Sequence, residues 1–347
     1  MHGNNEPWEK VINIIGTSLR FLLLWSLKYY SMQKRKLGNS GIEVSALALG
    51  GNVFGWTIDE ATSFKILDGF IDSGFNLVDT ADVYSRWKRG NEGGESETII
   101  GNWMKKTGNR NKVVVATKVG MEMADGKGLA KARIFKSIED SLRRLQTDYI
   151  DLFQSHKDDP DTPQEETLEA YNQLVKQGKV RAIGASNYSA ARLGEALAIS
   201  TEKGYPAYVS VQPQYNLYDR EVYESELEPF CIKNGLGVIT YYSLASGFLT
   251  GKYRSSEDYR KSVRGVGMKR FMNERGLNIL AALDEVSKEL NATQAQVALA
   301  WLIARKGVTA PIVSATNIDQ LQDILKAVDV KLDVSAIATL DAAGEWR

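Results

Sequence analysis

Eight short apolar runs alternate with longer segments of helical period from about residue 35 onward, and few architectures accommodate that rhythm. The runs are Ala46–Leu49, Leu77–Asp79, Val113–Thr117, Ile150–Gln154, Ile183–Ala185, Val209–Gln212, Val238–Tyr241 and Ile312–Val313. Helix-like stretches lie near 60–73, 95–106, 133–145, 164–177, 189–203, 221–234, 275–290 with 293–305, and 318–328. Strand followed by helix, repeated, predicts βα units around a parallel sheet. Eight such pairs in roughly 250 to 300 residues is the scale of an α/β (β/α)8 TIM barrel. Ahead of the first run, Lys36-Leu37-Gly38-Asn39-Ser40-Gly41-Ile42-Glu43-Val44 carries a turn signal that predicts a β-hairpin plugging the barrel bottom. A doubly wound sheet is the rival, but Gly50-Gly51-Asn52-Val53-Phe54-Gly55 lacks the G-x-G-x-x-G spacing of its dinucleotide turn.

Composition narrows the function classes. The chain has 347 residues, with 43 Lys and Arg against 43 Asp and Glu. That balance of interspersed signs supplies no electrostatic footprint for nucleic acid. A single cysteine, Cys231, excludes an internal disulfide and fits a reducing compartment, so the expected location is cytoplasmic. Only two histidines occur, one of them His2, and no metal site is expected.

Residues 1–31 read as an N-terminal extension to a barrel domain over 32–347. Within it, 11–30 places Ile12, Ile15, Leu19, Leu23 and Leu27 on one helical face, and Asn13, Thr17, Arg20 and Lys28 near another. This is the pattern of an amphipathic surface helix, the one route to membrane contact; an upstream start ahead of Met32 is the alternative.

In a barrel, chemistry is assembled at the C-terminal ends of the strands. Asp79 ends the second run, with Tyr84 in the following loop; Lys118 follows the third and His156 the fourth. Singly, each has an ordinary reading: helix cap, rim aromatic, surface charge, satisfied imidazole. Together they predict a site in which an ammonium lowers a phenol's pKa, a carboxylate holds the ammonium, and an imidazole orients a carbonyl oxygen.

From about 34 to 340 the chain resembles the aldo-keto reductase family, in this tetrad and in SIEDSLRRLQTDYIDLFQSH, GKVRAIGASNYS, VQPQYNLYDR and SGFLTGKY. The resemblance implies a (β/α)8 barrel that binds a nicotinamide cofactor, with Asp79, Tyr84, Lys118 and His156 catalytic. It further implies that Ser186, Asn187 and Gln212 hold the nicotinamide carboxamide and that Tyr241 stacks on its ring. Gly51 and Asn52 join the cofactor site. Ser243, Leu244, Gly247 and Lys252 belong to the implied pyrophosphate loop, and Ser314, Asn317, Gln320 and Asp323 to the adenosine end.

Departures from the family pattern concern the cofactor. Tyr242 stands where many relatives have Ser, Ile324 where Asn is common, and no Lys or Arg occurs between Pro311 and Ile324. NADP(H) is favoured on family precedent, and NAD(H) is the alternative; Lys269 or Arg270 offers charge from the preceding loop. Phe54, Trp56 and Trp87 are expected to wall the substrate side, beside Arg86, Lys88 and Arg89, and the loop 251–274 to gate the cofactor. The reading is an NAD(P)H-dependent oxidoreductase acting on a small-molecule aldehyde or ketone, or on the corresponding alcohol. Its alternative is a cofactor-sensing subunit resembling potassium-channel β subunits. The oligomeric state is left open.

Overall fold

The computed structural model describes residues 34–346. The expected extension 1–31, with its amphipathic segment, lies outside the described residues. Two short antiparallel strands, β1 (Arg35–Lys36) and β2 (Glu43–Val44), form the expected hairpin. Eight parallel strands follow: β3 (Ala48–Gly50), β4 (Leu77–Asp79), β5 (Val114–Val119), β6 (Ile150–Ser155), β7 (Val180–Ser186), β8 (Tyr208–Gln212), β9 (Gly237–Thr240) and β10 (Val308–Val313). They pair in chain order, and β10 closes on β3. The chain is a (β/α)8 barrel with a hairpin at its N-terminal face.

Helices α1 (Glu60–Asp72), α2 (Glu95–Thr107), α3 (Lys131–Leu145), α4 (Gln164–Lys176) and α5 (Ala190–Lys203) fill successive crossovers. After β8, α6 (Glu228–Asn234) continues a π-helical turn, Tyr223–Leu227, that interrupts the single helix expected over 221–234. Two helices, α7 (Glu274–Glu289) and α8 (Gln294–Ala304), precede β10; α9 (Ile318–Leu325) and α10 (Val334–Ala343) complete the chain. Helix α3 shows why these segments are helical. Ile134, Ile138, Leu142 and Leu145 recur at four- and three-residue spacing and are buried, while Lys136, Glu139 and Arg143 face away. Asp59 caps α1 by accepting from Thr62 N at 2.8 Å, and Gly108 ends α2 with a left-handed φ of 69°.

The barrel core is built in layers. Leu37, Ile42 and Val44 of the hairpin segment pack with Leu77, Ala116, Leu152 and Ile239 in one buried cluster that seals the bottom. Two residues further along their strands, Leu77, Ala116 and Leu152 give way to Asp79, Lys118 and Gln154. A strand returns to the same face every second residue. The parallel register Asp79↔Ala116 and Lys118↔Gln154 therefore carries the inward face from an apolar plug to a polar floor within two residues. Among the described residues no helix is long and apolar enough to cross a membrane.

Candidate active site

Lys118 is fully buried and spends all three ammonium protons. It donates to Asp79 Oδ2 at 2.6 Å, to the Thr80 carbonyl at 2.8 Å and to the Tyr84 hydroxyl at 3.0 Å. The second carboxylate oxygen, Asp79 Oδ1, accepts from Gln212 Nε2 at 2.8 Å and from Gln154 Nε2 at 3.3 Å. A buried ion pair whose remaining lone pairs are satisfied in this way fixes its side chains. The imidazole of His156 stands edge-on to the Tyr84 ring, with centroids 6.0 Å apart. Its Nδ1 is buried without a hydrogen-bond partner. The four side chains expected at consecutive strand ends thus converge. Gln154 joins them, a residue missed in the sequence although its inward position follows from the alternation of β6.

Burial governs the charges here. It is the largest cause raising the Tyr84 pKa well above its ordinary value, and the Asp79 carboxylate adds to it. The net direction is therefore upward, where a lowered value was expected: the hydrogen bond that Lys118 donates favours the phenolate but does not outweigh burial, and the phenol is protonated at neutral pH. Burial pulls Lys118 downward, opposed by Asp79. His156 is pushed down to about 3 by burial and then by the charge of Lys118, so the imidazole is neutral throughout the physiological range.

Above this floor lies a cleft of about 2030 Å³. Asp79, Tyr84 and His156 open into it, as do Ser186, Asn187, Gln212 and Tyr241. Asn187 has a left-handed φ of 56°; its amide donates to the His156 carbonyl at 2.9 Å and accepts from the Tyr241 hydroxyl at 2.7 Å. Tyr241 follows β9 directly, and its ring meets that of Tyr242 edge-on at 5.3 Å. The cleft continues past Ser243, Leu244, Gly247 and Lys252 to Ser314, Gln320 and Asp323.

Two features bear on whether a nicotinamide dinucleotide fits this trough. Tyr242, Ala245 and Ser246 have φ of 53°, 48° and 58°, and Gly247 has 98°. Leu244, with φ of -105°, passes into three consecutive left-handed residues, a turn of the kind that can present backbone amides to an anion; strain of this kind at non-glycine residues concentrates at functional sites. Lys252 closes the turn: a Cβ on Gly247 would lie 3.4 Å from its ammonium. At the far end, Ser314 Oγ lies 2.7 Å from Asn52 Oδ1 across the β3–β10 seam, and Asp323 accepts from Thr293 and Gln296. A cleft of this volume, lined from Tyr84 past the left-handed turn and Lys252 to Asp323, has residues that fit a dinucleotide.

Lys118 lies beneath the cleft lining rather than in it, Lys88, Arg89 and Lys269 are outside it, and so are three residues expected to touch cofactor or substrate. Gly51 is buried, with its carbonyl accepting from Ser96 Oγ at 2.8 Å. Phe54 is fully buried and is no substrate wall, because the loop after β3 turns its ring into the core. Asn317 caps α9, accepting from Gln320 N at 2.9 Å. Trp56 and Trp87 do line the cleft, edge to face at 5.6 Å, and Trp87 is 5.9 Å from the Tyr84 ring. Among the described residues no group of three or more His, Cys, Asp or Glu is placed to hold a metal ion.

Residues 46–345 match the model described as the aldo/keto reductase family. The chain belongs to that family. It is 37% identical over 318 residues to the uncharacterized oxidoreductase YrpG of Bacillus subtilis (strain 168), covering 89% of this chain and 95% of the relative. It is 34% identical to a probable voltage-gated potassium channel subunit beta of Oryza sativa subsp. japonica, covering 86% of this chain and 92% of the relative. The aldo-keto reductase YhdN of Bacillus subtilis (strain 168) is 33% identical, over 84% of this chain and 87% of that protein. Membership in the aldo/keto reductase family supports an oxidoreductase, and the family generally uses NADP(H).

Proposed function

We propose that the protein is an NAD(P)H-dependent carbonyl reductase in which Tyr84 exchanges the proton with the substrate oxygen. The arrangement that carries this reading is the Lys118 ammonium, bonded at once to Asp79 and to the Tyr84 hydroxyl on the floor of an open cleft. When bound, a reduced nicotinamide supplies the hydride that reaches the carbonyl carbon. Ser186, Asn187, Gln212 and Tyr241 hold its ring, and the turn at Ser243–Gly247 with Lys252 meets its phosphates. NADP(H) is the first choice of cofactor and NAD(H) the second.

The chain's own groups do the proton work. Tyr84 is in its protonated form at neutral pH, the form a general acid needs for reduction. Lys118 steadies the phenolate left after transfer, and Asp79 keeps Lys118 charged and in place. His156, neutral, directs an N–H at the carbonyl oxygen rather than a charge. In the oxidative direction the phenolate acts as base. The catalytic unit is assigned to 32–347, and the buried lone cysteine suits a cytoplasmic setting.

Fluorescence titration with NADPH and NADH, followed by single-turnover oxidation with an aldehyde panel, tests the reading. Tight binding with turnover supports it; failure to bind either nucleotide defeats it. The second reading, a cofactor-sensing subunit, draws on the rice relative and on an Arabidopsis thaliana protein bearing the same name, 34% identical to this chain. Binding without turnover, in a protein of tetrameric mass by size exclusion, would favour it.

A further inference from the structure

Resting on the reductase reading, a buried carboxylate behind the tetrad bears on how readily Tyr84 gives up its proton. Asp82 stands between Asp79 and Tyr84 in the turn after β4, and its backbone N–H donates to the Lys118 carbonyl at 3.2 Å. Its side chain is outside the cleft lining and buried. Oδ2 accepts from Ser137 Oγ of α3 at 3.2 Å, and the Arg133 guanidinium stands 3.7 Å from the same oxygen. Oδ1 is buried without a hydrogen-bond partner, and so is Arg133 Nε. Glu97 of α2, fully buried, is by contrast bonded at both oxygens: Thr117 Oγ1 donates at 2.5 Å and Arg144 Nε at 2.7 Å. Of these two interacting carboxylates Asp82 is the under-bonded one, so it is the one that takes a proton.

Groups of both signs face Asp82 from the elements around it. Burial, and then Glu97, raises its pKa to about 7; Arg133 and Arg144 of α3, with the Ser137 hydrogen bond, pull the other way. Its charge acts in turn on Tyr171 of α4 and on Lys118 of β5, where it strengthens the ammonium's hold on its proton. Asp125, which also holds Arg133, is itself paired with Lys136 at the surface. With Asp82 ionised, the charges of Asp79, Asp82 and Glu97 balance those of Lys118, Arg133 and Arg144. With Asp82 protonated, the same set carries one positive charge in excess, the counterpart of the negative charge Tyr84 acquires when its proton leaves for the substrate oxygen. We propose that Asp82 is a positioning residue for that proton: acting through Lys118, its neutral form favours the phenolate that reduction leaves behind, and its charged form opposes it. Charges in a protein interior are shielded less than charges in water, so a change behind Lys118 reaches the phenol.

The test is single-turnover oxidation of bound NADPH by 4-nitrobenzaldehyde, or by the fastest non-ionising aldehyde of the panel, from pH 5.5 to 8.5. It is run on the full-length wild type, D82N, D82E and S137A, with NADPH affinity measured on the same proteins. The wild-type rate is expected to fall by about 10-fold through a midpoint near pH 7, the scale of one added charge in a partly shielded interior. D82N, neutral throughout, is expected to keep the fast rate across the range, and D82E to restore the fall. S137A removes a hydrogen bond to the charged form and leaves Asp82 in place, so its midpoint should move to higher pH. A flat wild-type profile overturns the proposal. So does a D82N that is slower at every pH yet falls as wild type does, the mark of a merely structural role. Should D82N fail to bind NADPH, S137A decides, and an unmoved midpoint overturns the proposal. Wild type that binds NADPH yet reduces no aldehyde at any pH would instead bring down the reductase reading.

Discussion

Tyr84 has a neighbour of each sign: the Lys118 ammonium at 3.0 Å and the Asp79 carboxylate at 3.4 Å. Removing its hydroxyl in Tyr84→Phe should lower single-turnover reduction by at least about 100-fold while NADPH affinity is retained; a variant with wild-type turnover would refute Tyr84 as proton donor. Lys118→Met leaves the Asp79 charge buried and unpaired, and should destabilise the fold by about 3–5 kcal/mol in urea denaturation. The pH dependence of stability has two opposed contributors. His156, with its folded pKa depressed to about 3, favours unfolding as pH falls below about 6.5, because the unfolded imidazole takes up the proton first. Asp82 has its folded pKa raised to about 7 by burial and by Glu97, so its contribution is present at low pH and lost as pH rises through 7. Asp82→Asn should therefore lose stability relative to wild type by up to about 1.4 kcal/mol per unit as pH falls from 7 to 4.5. Parallel urea midpoints across that range would show that Asp82 does not titrate there. At this scale the tetrad was legible in the sequence, because alternation along a strand determines which side chain enters the barrel. Phe54 and Asn317 were not, since loop residues point wherever irregular backbone turns them; Tyr84's charge state required its surroundings.

The strands came through the sequence nearly intact, with differences that have physical causes. β7 begins at Val180 rather than Ile183 because the exposed Arg181, paired with Asp151 at 2.6 Å, breaks the apolar run from which its start is read. β10 begins at Val308, four residues early, as Thr309 and Pro311 dilute its pattern. The π-helical turn before α6 leaves no periodic signature over five residues. Helix contacts are sharper than periodicity reveals: α2 approaches the end of α3 so closely that a Cβ on Gly101 would lie 2.1 Å from the Arg144 carbonyl oxygen. Gly101→Ala gains helix propensity yet must push α2 off α3, and the balance should be destabilising by about 1–3 kcal/mol, the usual range for overpacking. A melting temperature equal to or above wild type would show that the helices yield without cost. The 3-10 run over 255–271 has no periodic apolar stripe, so its two turns were not legible, although the loop 251–274 that contains it was expected beside the cofactor and does line the cleft.

The barrel and its hairpin form one layered object with apolar residues at the bottom and the reacting groups above. Leu37, fully buried in that bottom layer, should cost about 2–5 kcal/mol when replaced by Ala, with Tyr84 and its partners unaltered in spectroscopic nucleotide titration. A loss of nucleotide affinity as large as the loss of stability would mean that plug and floor move together. The closure of β10 onto β3 has a consequence for how copies of the chain meet. Every barrel strand is paired on both sides, and strands without a free edge offer no template on which another chain can be added. Unpaired strand edges in the described part belong to β1 and β2, two residues each and too short to seed a ladder. Self-association through the described residues therefore proceeds through surfaces other than strand edges, and extended β assembly from the barrel first requires it to open.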